Sequence, residues 1–361
     1  MISPRKLLKN YRKFQYRCFN RPKYGLIETY SQCTIIGNLP EPKLDCVHPC
    51  IRFTKKAFRG YHWWMVYTPY YNNNALGENP ILCYGIGDTE PPTEWHVYKE
   101  VIPQPEQGYN SDPNMLFSDD AMYIFWRENE TPRLLQKGLH RGTFCIKITE
   151  NEIISYDESI LRETLAFEDH EVSPTFIKFK GEYMALANHL LFKSPYIQKI
   201  PGKIKLLIEK VLLATDLLGI YAQQKSYGIA VYGAGGGKSL VDFVFQYKKS
   251  VYPKNCNKLY RPWHSDAFEY DGSLYMIIQS NQCNADICIA RWNEDLSTLT
   301  MSKKPLVTNF SLKKVGVYKP TAVVYGDMLY VYVTAQDEDN RAHNKLYLGV
   351  LPMADVKILF R

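Results

Sequence analysis

One short pattern returns five times along this sequence: a polar residue beside a proline, an apolar strand, a Gly or Asp turn, and a second, aromatic strand. Such self-similarity constrains the fold more tightly than any local propensity, because each repeat buries its apolar face only against its neighbours. The first copy is His48-Pro49-Cys50-Ile51, a turn at Gly60 and an aromatic strand over 61–67. The second is Asp112-Pro113-Asn114-Met115, Asp119-Asp120 and a strand over 122–126. The third is Ser173-Pro174-Thr175-Phe176, Lys180-Gly181 and 183–186. In the fourth, Trp263-His264-Ser265-Asp266, Ser265 takes the proline's place ahead of Asp271-Gly272 and 274–278. The fifth is Tyr318-Lys319-Pro320-Thr321, Gly326-Asp327 and 328–333.

Counted between His48, Asp112, Ser173, His264 and Lys319, the spacings are 64, 61, 91 and 55 residues. Each holds four short strands, the size of a propeller blade, and radial closure leaves few unpaired edges. The fold expected is therefore all-β, a five-bladed β-propeller over 30–361, preceded by a basic N-terminal arm over 1–29. The long third spacing contains Lys203-Ile204-Lys205-Leu206-Leu207-Ile208-Glu209-Lys210, whose apolar residues follow a helical period. This places a helical insertion at about 197–225, in blade three. The 28 Tyr and 6 Trp among 361 residues agree with strands and offer flat faces on which sugar rings stack.

The net charge of +7 sits almost wholly in the arm, where Arg5, Lys6, Lys9, Arg12, Lys13, Arg17, Arg21 and Lys23 precede the first acid, Glu28. A nucleic-acid binder spreads basic charge over the folded surface, so nucleic acid is not the expected partner. With Leu7, Leu8, Tyr11, Phe14, Tyr16 and Phe19 interleaved, residues 1–25 read as a peripheral contact with an anionic membrane or a protein, or as a helix on the chain's own domain. Nine cysteines without a C-x-x-C pair argue against a zinc ribbon and against a complete disulfide framework. No secretory leader or membrane-length apolar run is evident, so the expectation is cytoplasmic synthesis with a peripheral-membrane or virion-associated destination.

Proline is tolerated in a sheet at a strand's first residue or at an edge, so the repeated proline is expected where each strand starts, with an extended residue before it. If all five strands enter the axial channel from one end, His48, Asp112, Ser173, His264 and Lys319 converge on a single mouth. The layout resembles the five-bladed propeller glycosidases related to glycoside hydrolase family 43 over about residues 30–355. More closely, His48-Pro49, Tyr67-Thr68-Pro69-Tyr70, Glu78-Asn79-Pro80, Tyr109-Asn110-Ser111-Asp112-Pro113 and Trp263-His264-Ser265-Asp266 resemble family-43-like propellers of bacteria and phages. The resemblance implies an Asp base on the first inner strand, a pKa-tuning Asp on the second and a Glu acid on the third. Here His48 stands at the base position and Asn114 at the tuning position, and Glu171 lies three residues before Pro174.

The expected catalytic set is Asp112, Glu171 and Asp266, with Asp45 a little upstream. Glu171 is the general acid, its neutral form favoured among Val172, Pro174 and Phe176, and Asp112 or Asp266 activates water or holds sugar hydroxyls. His48, Arg127, Trp263, His264, Tyr318 and Lys319 are the expected substrate-binding residues, Arg127 as a clamp for a ligand carboxylate or phosphate or else as a surface ion pair with Glu128 or Glu130. Trp63, Trp64, Trp95 and Trp126 are further stacking candidates, although Trp63 and Trp64 face opposite sides of one strand. His48 and His264 could share a metal with Asp112 or Asp266, but the sequence carries no i, i+4 histidine pair and no dense ligand cluster, so no cofactor and no metal are expected. Gly233-Ala234-Gly235-Gly236-Gly237-Lys238-Ser239 misses phosphate-loop spacing at Tyr232 and precedes a strand, so it reads as a hairpin loop. The function expected is a glycosidase-like hydrolase acting on a bacterial polysaccharide. The alternatives are a non-catalytic glycan-binding propeller of a virion or cell surface and a membrane-associated glycosyltransferase.

Overall fold

The computed structural model describes residues 24–87, 90–118, 120–151, 162–164, 171–189, 228–234, 245–255, 262–280, 286–337 and 343–361. Most of the arm over 1–29 and the insertion at about 197–225 lie outside the described residues. The remainder is a five-bladed β-propeller with five sheets, antiparallel apart from one outer strand of the first blade. Their innermost strands are Cys46–Phe58, Tyr109–Ser118, Glu171–Phe179, Pro262–Tyr270 and Val315–Tyr325. Each touches the next and the fifth touches the first, so the ring is closed.

Chain order within a blade runs from the axis outwards, as in the second blade: Tyr109–Ser118, Ala121–Asn129, Arg141–Thr149, Arg162–Thr164. The turn from the innermost strand to its neighbour needs a left-handed residue, supplied by Gly181 at φ 83° and Gly272 at φ 65°. The last blade is completed by the start of the described chain. Tyr30–Gln32 pairs antiparallel with Lys345–Pro352, which ties the two ends of the propeller together. Thr34–Ile36 then crosses to the outer edge of the first blade and pairs in parallel with Glu94–Glu100. No described helix is long and apolar enough to cross a membrane.

Apolar side chains fill the wedges between blades. Trp64, Val66, Met115, Ile124, Trp126 and Phe144 form one such wedge between the first and second blades. Phe125 stacks on Phe176 between the second and third, with ring centroids 3.6 Å apart. Trp63, Trp64, Trp95 and Trp126 are all fully buried, so these four pack the core and do not offer sugar platforms. The glycine-rich segment lies mostly outside the described residues, but its flanks, Gly228–Ala234 and Phe245–Val251, pair antiparallel as a hairpin in blade three. All six described cysteines are free and buried.

The proline of the repeat is not where a strand starts. In the first three blades it lies inside the innermost strand, at a register break that skips His48-Pro49, Asp112-Pro113 and Ser173-Pro174. The fourth and fifth blades break register at Trp263 and Lys319. A bulge leaves its extra residue unpaired, so the missing proline N–H removes no ladder bond there. Nor is the residue before the proline extended: His48, Asp112 and Ser173 adopt φ of 51°, 51° and 48°. Each bulge re-aims one polar side chain at the axis.

Two residues beyond each of His48, Asp112, Ser173, His264 and Lys319, a side chain reaches the next blade. Cys50 Sγ accepts from Met115 N at 3.2 Å, Asn114 Oδ1 from Phe176 N at 3.0 Å, Asp266 Oδ2 from Ala322 N at 3.3 Å, and Thr321 Oγ1 from Ile51 N at 3.1 Å. Thr175 Oγ1 completes the circuit by donating to Ser265 O at 3.1 Å. Asp266 is the hub of this belt. It receives both Nη atoms of Arg52, at 2.8 and 2.7 Å, together with Thr321 Oγ1 at 2.6 Å. Burial alone would raise its pKa, but Arg52 and the donated hydrogen bonds hold it below the usual carboxylate range.

Removing one member of a buried, hydrogen-bonded ion pair strands its partner at a cost of about 3–5 kcal/mol. Asp266→Ala is therefore expected to lower the urea-unfolding free energy by that amount. Thr321→Val, which leaves a buried Ile51 N–H unsatisfied, is expected to cost about 1–3 kcal/mol. Unchanged unfolding midpoints in both variants would show that the belt does not hold the blades together.

Candidate active site at the propeller mouth

The five bulges deliver His48, Asp112, Ser173, His264 and Lys319, as expected, to one axial cluster, and all five residues are buried. Asp112 is its centre. Its Oδ2 takes Arg127 Nη2 at 2.8 Å, and its Oδ1 accepts from Ser173 Oγ at 2.9 Å. The same Oδ1 lies 3.6 Å from His48 Nε2 and 3.6 Å from His264 Nδ1. Burial alone would raise the Asp112 pKa, but Arg127, His48, Lys319 and His264 together bring it well below the usual carboxylate range. Asp112 is an anion locked in place.

Hydrogen bonding fixes both imidazoles. Ser173 gives its hydroxyl proton to Asp112 and so accepts from the adjoining His264 Nδ1. His264 therefore carries its proton on Nδ1, leaving a lone pair on the buried Nε2. Burial, reinforced by His48, Lys319 and Arg127 and opposed by Asp112, holds its pKa well below the ordinary histidine value, so the ring is neutral. His48 Nδ1 faces Glu78 Oε2 at 3.0 Å and Thr68 Oγ1 at 3.1 Å, while Thr68 donates to the same Glu78 oxygen at 3.3 Å. Its proton likewise belongs on Nδ1. Both Nε2 atoms are buried and have no hydrogen-bond partner among the described residues. The two rings lie with centroids 5.1 Å apart.

Tyr318 closes one side of the cluster, its ring edge-on to His264 at 4.4 Å, with its hydroxyl receiving Trp263 Nε1 at 3.4 Å. Burial pushes the Tyr318 phenol far above its ordinary range, so it stays protonated. Trp263, unlike the other five tryptophans, which are buried, is partly exposed. Lys319 reaches across the axis to donate to Pro113 O at 3.3 Å, and burial lowers its pKa. Beside the mouth, a cleft of about 620 Å3 is lined by Lys43, Pro69, Tyr71, Asn74 and Gln104 among others.

Several expected roles are redistributed by this geometry. Asp266, expected to activate water or hold sugar hydroxyls, has both oxygens committed to Arg52, Thr321 and backbone N–H groups in the belt below. Arg127 pairs with the buried Asp112, and Glu128, its expected surface partner, pairs with Arg133. Asp45 is turned away from the axis, to His343 at 3.1 Å. Glu171 begins the third innermost strand, opposite His189, and its side chain lies outside the described residues. Glu78 and Thr68, which orient His48, were absent from the expected site. Their signal was the Tyr67-Thr68-Pro69 and Glu78-Asn79-Pro80 motifs, which carry no repeat and so could not be aligned between blades.

One ring nitrogen of each of His48 and His264 and a carboxylate oxygen of Asp112 lie within 4.8 Å of one another. The sequence spacing concealed this ligand cluster because its members come from three different blades.

No protein-family model matches the chain, and no curated protein matches it in sequence. Solved structures do match. An N-acetylgalactosamine deacetylase from F. plautii, in complex with blood group B trisaccharide, superposes with a TM-score of 0.62 at 12% identity, covering 92% of this chain and 97% of the other. The RS223 β-xylosidase gives 0.56 at 10% identity, covering 85% and 92%. A GH43_1 enzyme from Xanthomonas citri gives 0.54 at 7% identity, covering 86% and 88%. The chain has the five-bladed fold of the glycoside hydrolase propellers. At these identities the likeness extends to the fold.

Arg127 and Asp112 are mutually dependent if the pair is what stabilises the buried carboxylate. Arg127→Met is expected to lose about 3–5 kcal/mol of stability, and Asp112→Asn in the same chain to recover part of that loss. A double-mutant cycle by chemical unfolding measures the coupling, and a coupling energy near zero would refute the pairing.

Proposed function

We propose that the chain is a carbohydrate-processing hydrolase whose chemistry takes place at the His48–Asp112–His264 cluster. One observation carries this reading: two imidazole Nε2 atoms, buried and without partners among the described residues, beside a locked carboxylate at the axial mouth. A structural network satisfies its buried polar atoms, so unpartnered acceptors at a mouth point to a ligand or reactant that engages them. Glycan is the substrate class best supported. The fold's neighbours include a β-xylosidase and a deacetylase holding a trisaccharide, and Trp263, Tyr318 and the adjoining cleft offer aromatic and polar surface for sugar rings.

The chemistry differs from hydrolysis by a simple carboxylate pair. Asp112 and Asp266 have their oxygens engaged by protein donors, and Glu78 is behind His48. Inverting hydrolysis needs a second carboxyl across the scissile bond with room for water. Glu171, two residues before Ser173, is the remaining candidate for proton donation. The histidine Nε2 atoms supply the acceptor side, by taking a proton from water or by holding a group that activates it.

A non-catalytic glycan-binding propeller is the second reading, favoured by the same commitment of Asp112 and Asp266 to protein partners. A panel of bacterial polysaccharides and acylated oligosaccharides, analysed for new reducing ends and for released acid, separates the two. His264→Gln and His48→Gln are expected to lower kcat/KM by at least about 100-fold on any substrate turned over, the scale of losing a positioned catalytic group, while glycan binding changes little. Binding without turnover by the unaltered chain would establish the second reading, and turnover unaffected by both substitutions would remove the cluster from the chemistry.

A further inference from the structure

We propose that His48, Asp112 and His264 bind a divalent first-row transition-metal ion, with zinc the best fit, at the axial mouth. The ion's catalytic meaning rests on the hydrolase reading, whereas its binding does not.

The donor set comes first. Two imidazoles and a carboxylate are borderline and hard ligands that suit zinc, manganese, iron(II) or cobalt(II), whereas calcium and magnesium favour all-oxygen shells. One atom from each residue already lies within 4.8 Å of the others. His48 Nε2 stands 3.6 Å from Asp112 Oδ1, while on His264 it is Nδ1, the nitrogen bonded to Ser173, that lies 3.6 Å from the same oxygen. Tetrahedral ligands at about 2.1 Å from zinc are separated by about 3.4 Å, so His48 and Asp112 already stand near ligand spacing, and His264 completes the shell through Nε2.

The orienting groups point the same way. Metal-binding histidines donate their second ring N–H to a carboxylate, carbonyl or hydroxyl group, which fixes the tautomer and presents the other nitrogen as a lone pair. His48 has this arrangement with Glu78 and Thr68, and His264 has it with Ser173. Without an ion, two buried acceptors are left unsatisfied on neighbouring rings, each at the desolvation cost of an unpaired polar group. Three of the innermost strands also hold His48, Asp112 and Ser173 at left-handed φ, which the surrounding structure must enforce. An ion held by His48, Asp112 and His264 would engage both unpaired nitrogens and two of these three strained residues.

The neighbouring cations fit the assignment. Arg127 occupies Asp112 Oδ2 and leaves Oδ1 facing the imidazoles. Lys319 directs its amine to Pro113 O. Three protein ligands leave a coordination position open, the arrangement of catalytic rather than structural zinc sites. A metal there would polarise a glycan carbonyl or activate water.

The test uses the full chain, stripped with chelator and titrated with cobalt(II), whose visible bands report nitrogen and oxygen ligands while thiolates add near-ultraviolet charge transfer. That distinction matters because the chain has nine cysteines. The expected result is one ion per chain, without a thiolate band, displaced by zinc and not by excess calcium. His264→Gln should weaken binding by at least about 100-fold. Glu78→Gln, which keeps all three ligands and removes the carboxylate orienting His48, should weaken it by about 10–100-fold. Circular dichroism confirms that each variant is folded. Absence of stoichiometric binding, a thiolate band, or unchanged affinity in folded His264→Gln overturns the proposal. If the stripped chain still turns over glycan at full rate, the metal assignment falls and the hydrolase reading stands. If cobalt binds as described and no glycan is turned over, the converse holds.

Discussion

The structure depends on a belt of hydrogen bonds around the propeller axis. Five innermost strands present their edges to one another across a narrow channel, and strand edges carry unpaired backbone groups. The side chain two residues after each of His48, Asp112, Ser173, His264 and Lys319 meets a backbone group of the next blade: Cys50, Asn114, Thr175, Asp266 and Thr321 in turn. Asp266 adds a charged link to Arg52, so the fourth blade is joined to the first as well as to the fifth. Apolar wedges supply most of the burial, but they are non-directional and set no angular position. The belt fixes the blades' rotation about the axis, and with it the residues one layer above.

That upper layer carries the buried polar cluster. In the first three blades the residue freed from the ladder takes a left-handed backbone and turns its side chain to the mouth. Burial makes every charge there depend on its partners. Asp112 remains an anion because Arg127 faces it, and His264 remains neutral because low solvation outweighs the attraction of Asp112. The result is a locked carboxylate flanked by two imidazoles, held through Nδ1 by Ser173 on one side and by Glu78 and Thr68 on the other. Such preorganisation costs folding energy, which the belt and wedges below supply.

The likeness to xylosidase and deacetylase structures extends over nearly the whole chain, yet identity is near one residue in ten. This is the behaviour of a scaffold whose blades are specified by pattern and whose mouth is specified by individual side chains. Asn114 illustrates the separation. At the position where related enzymes are expected to carry a tuning Asp, it serves the belt by accepting from Phe176 N. His48 illustrates the converse, placing a ring nitrogen where a carboxylate oxygen was expected.

The burial of Trp63, Trp64, Trp95 and Trp126 was not legible in the sequence, whereas blade number, the all-β class and the axial convergence of His48, Asp112, Ser173, His264 and Lys319 were. These follow from a repeat and from strand periodicity, which act locally and survive without knowledge of distant partners. The roles within the mouth were not. Asp112 and Asp266 look alike as residues flanking a polar motif, and only ring closure assigns one to Arg127 at the mouth and the other to Arg52 in the belt. The ligand cluster and the Glu78–His48 contact escaped for the same reason. Their atoms meet across separate strands and blades, and proximity created by closing a ring leaves no spacing in the chain.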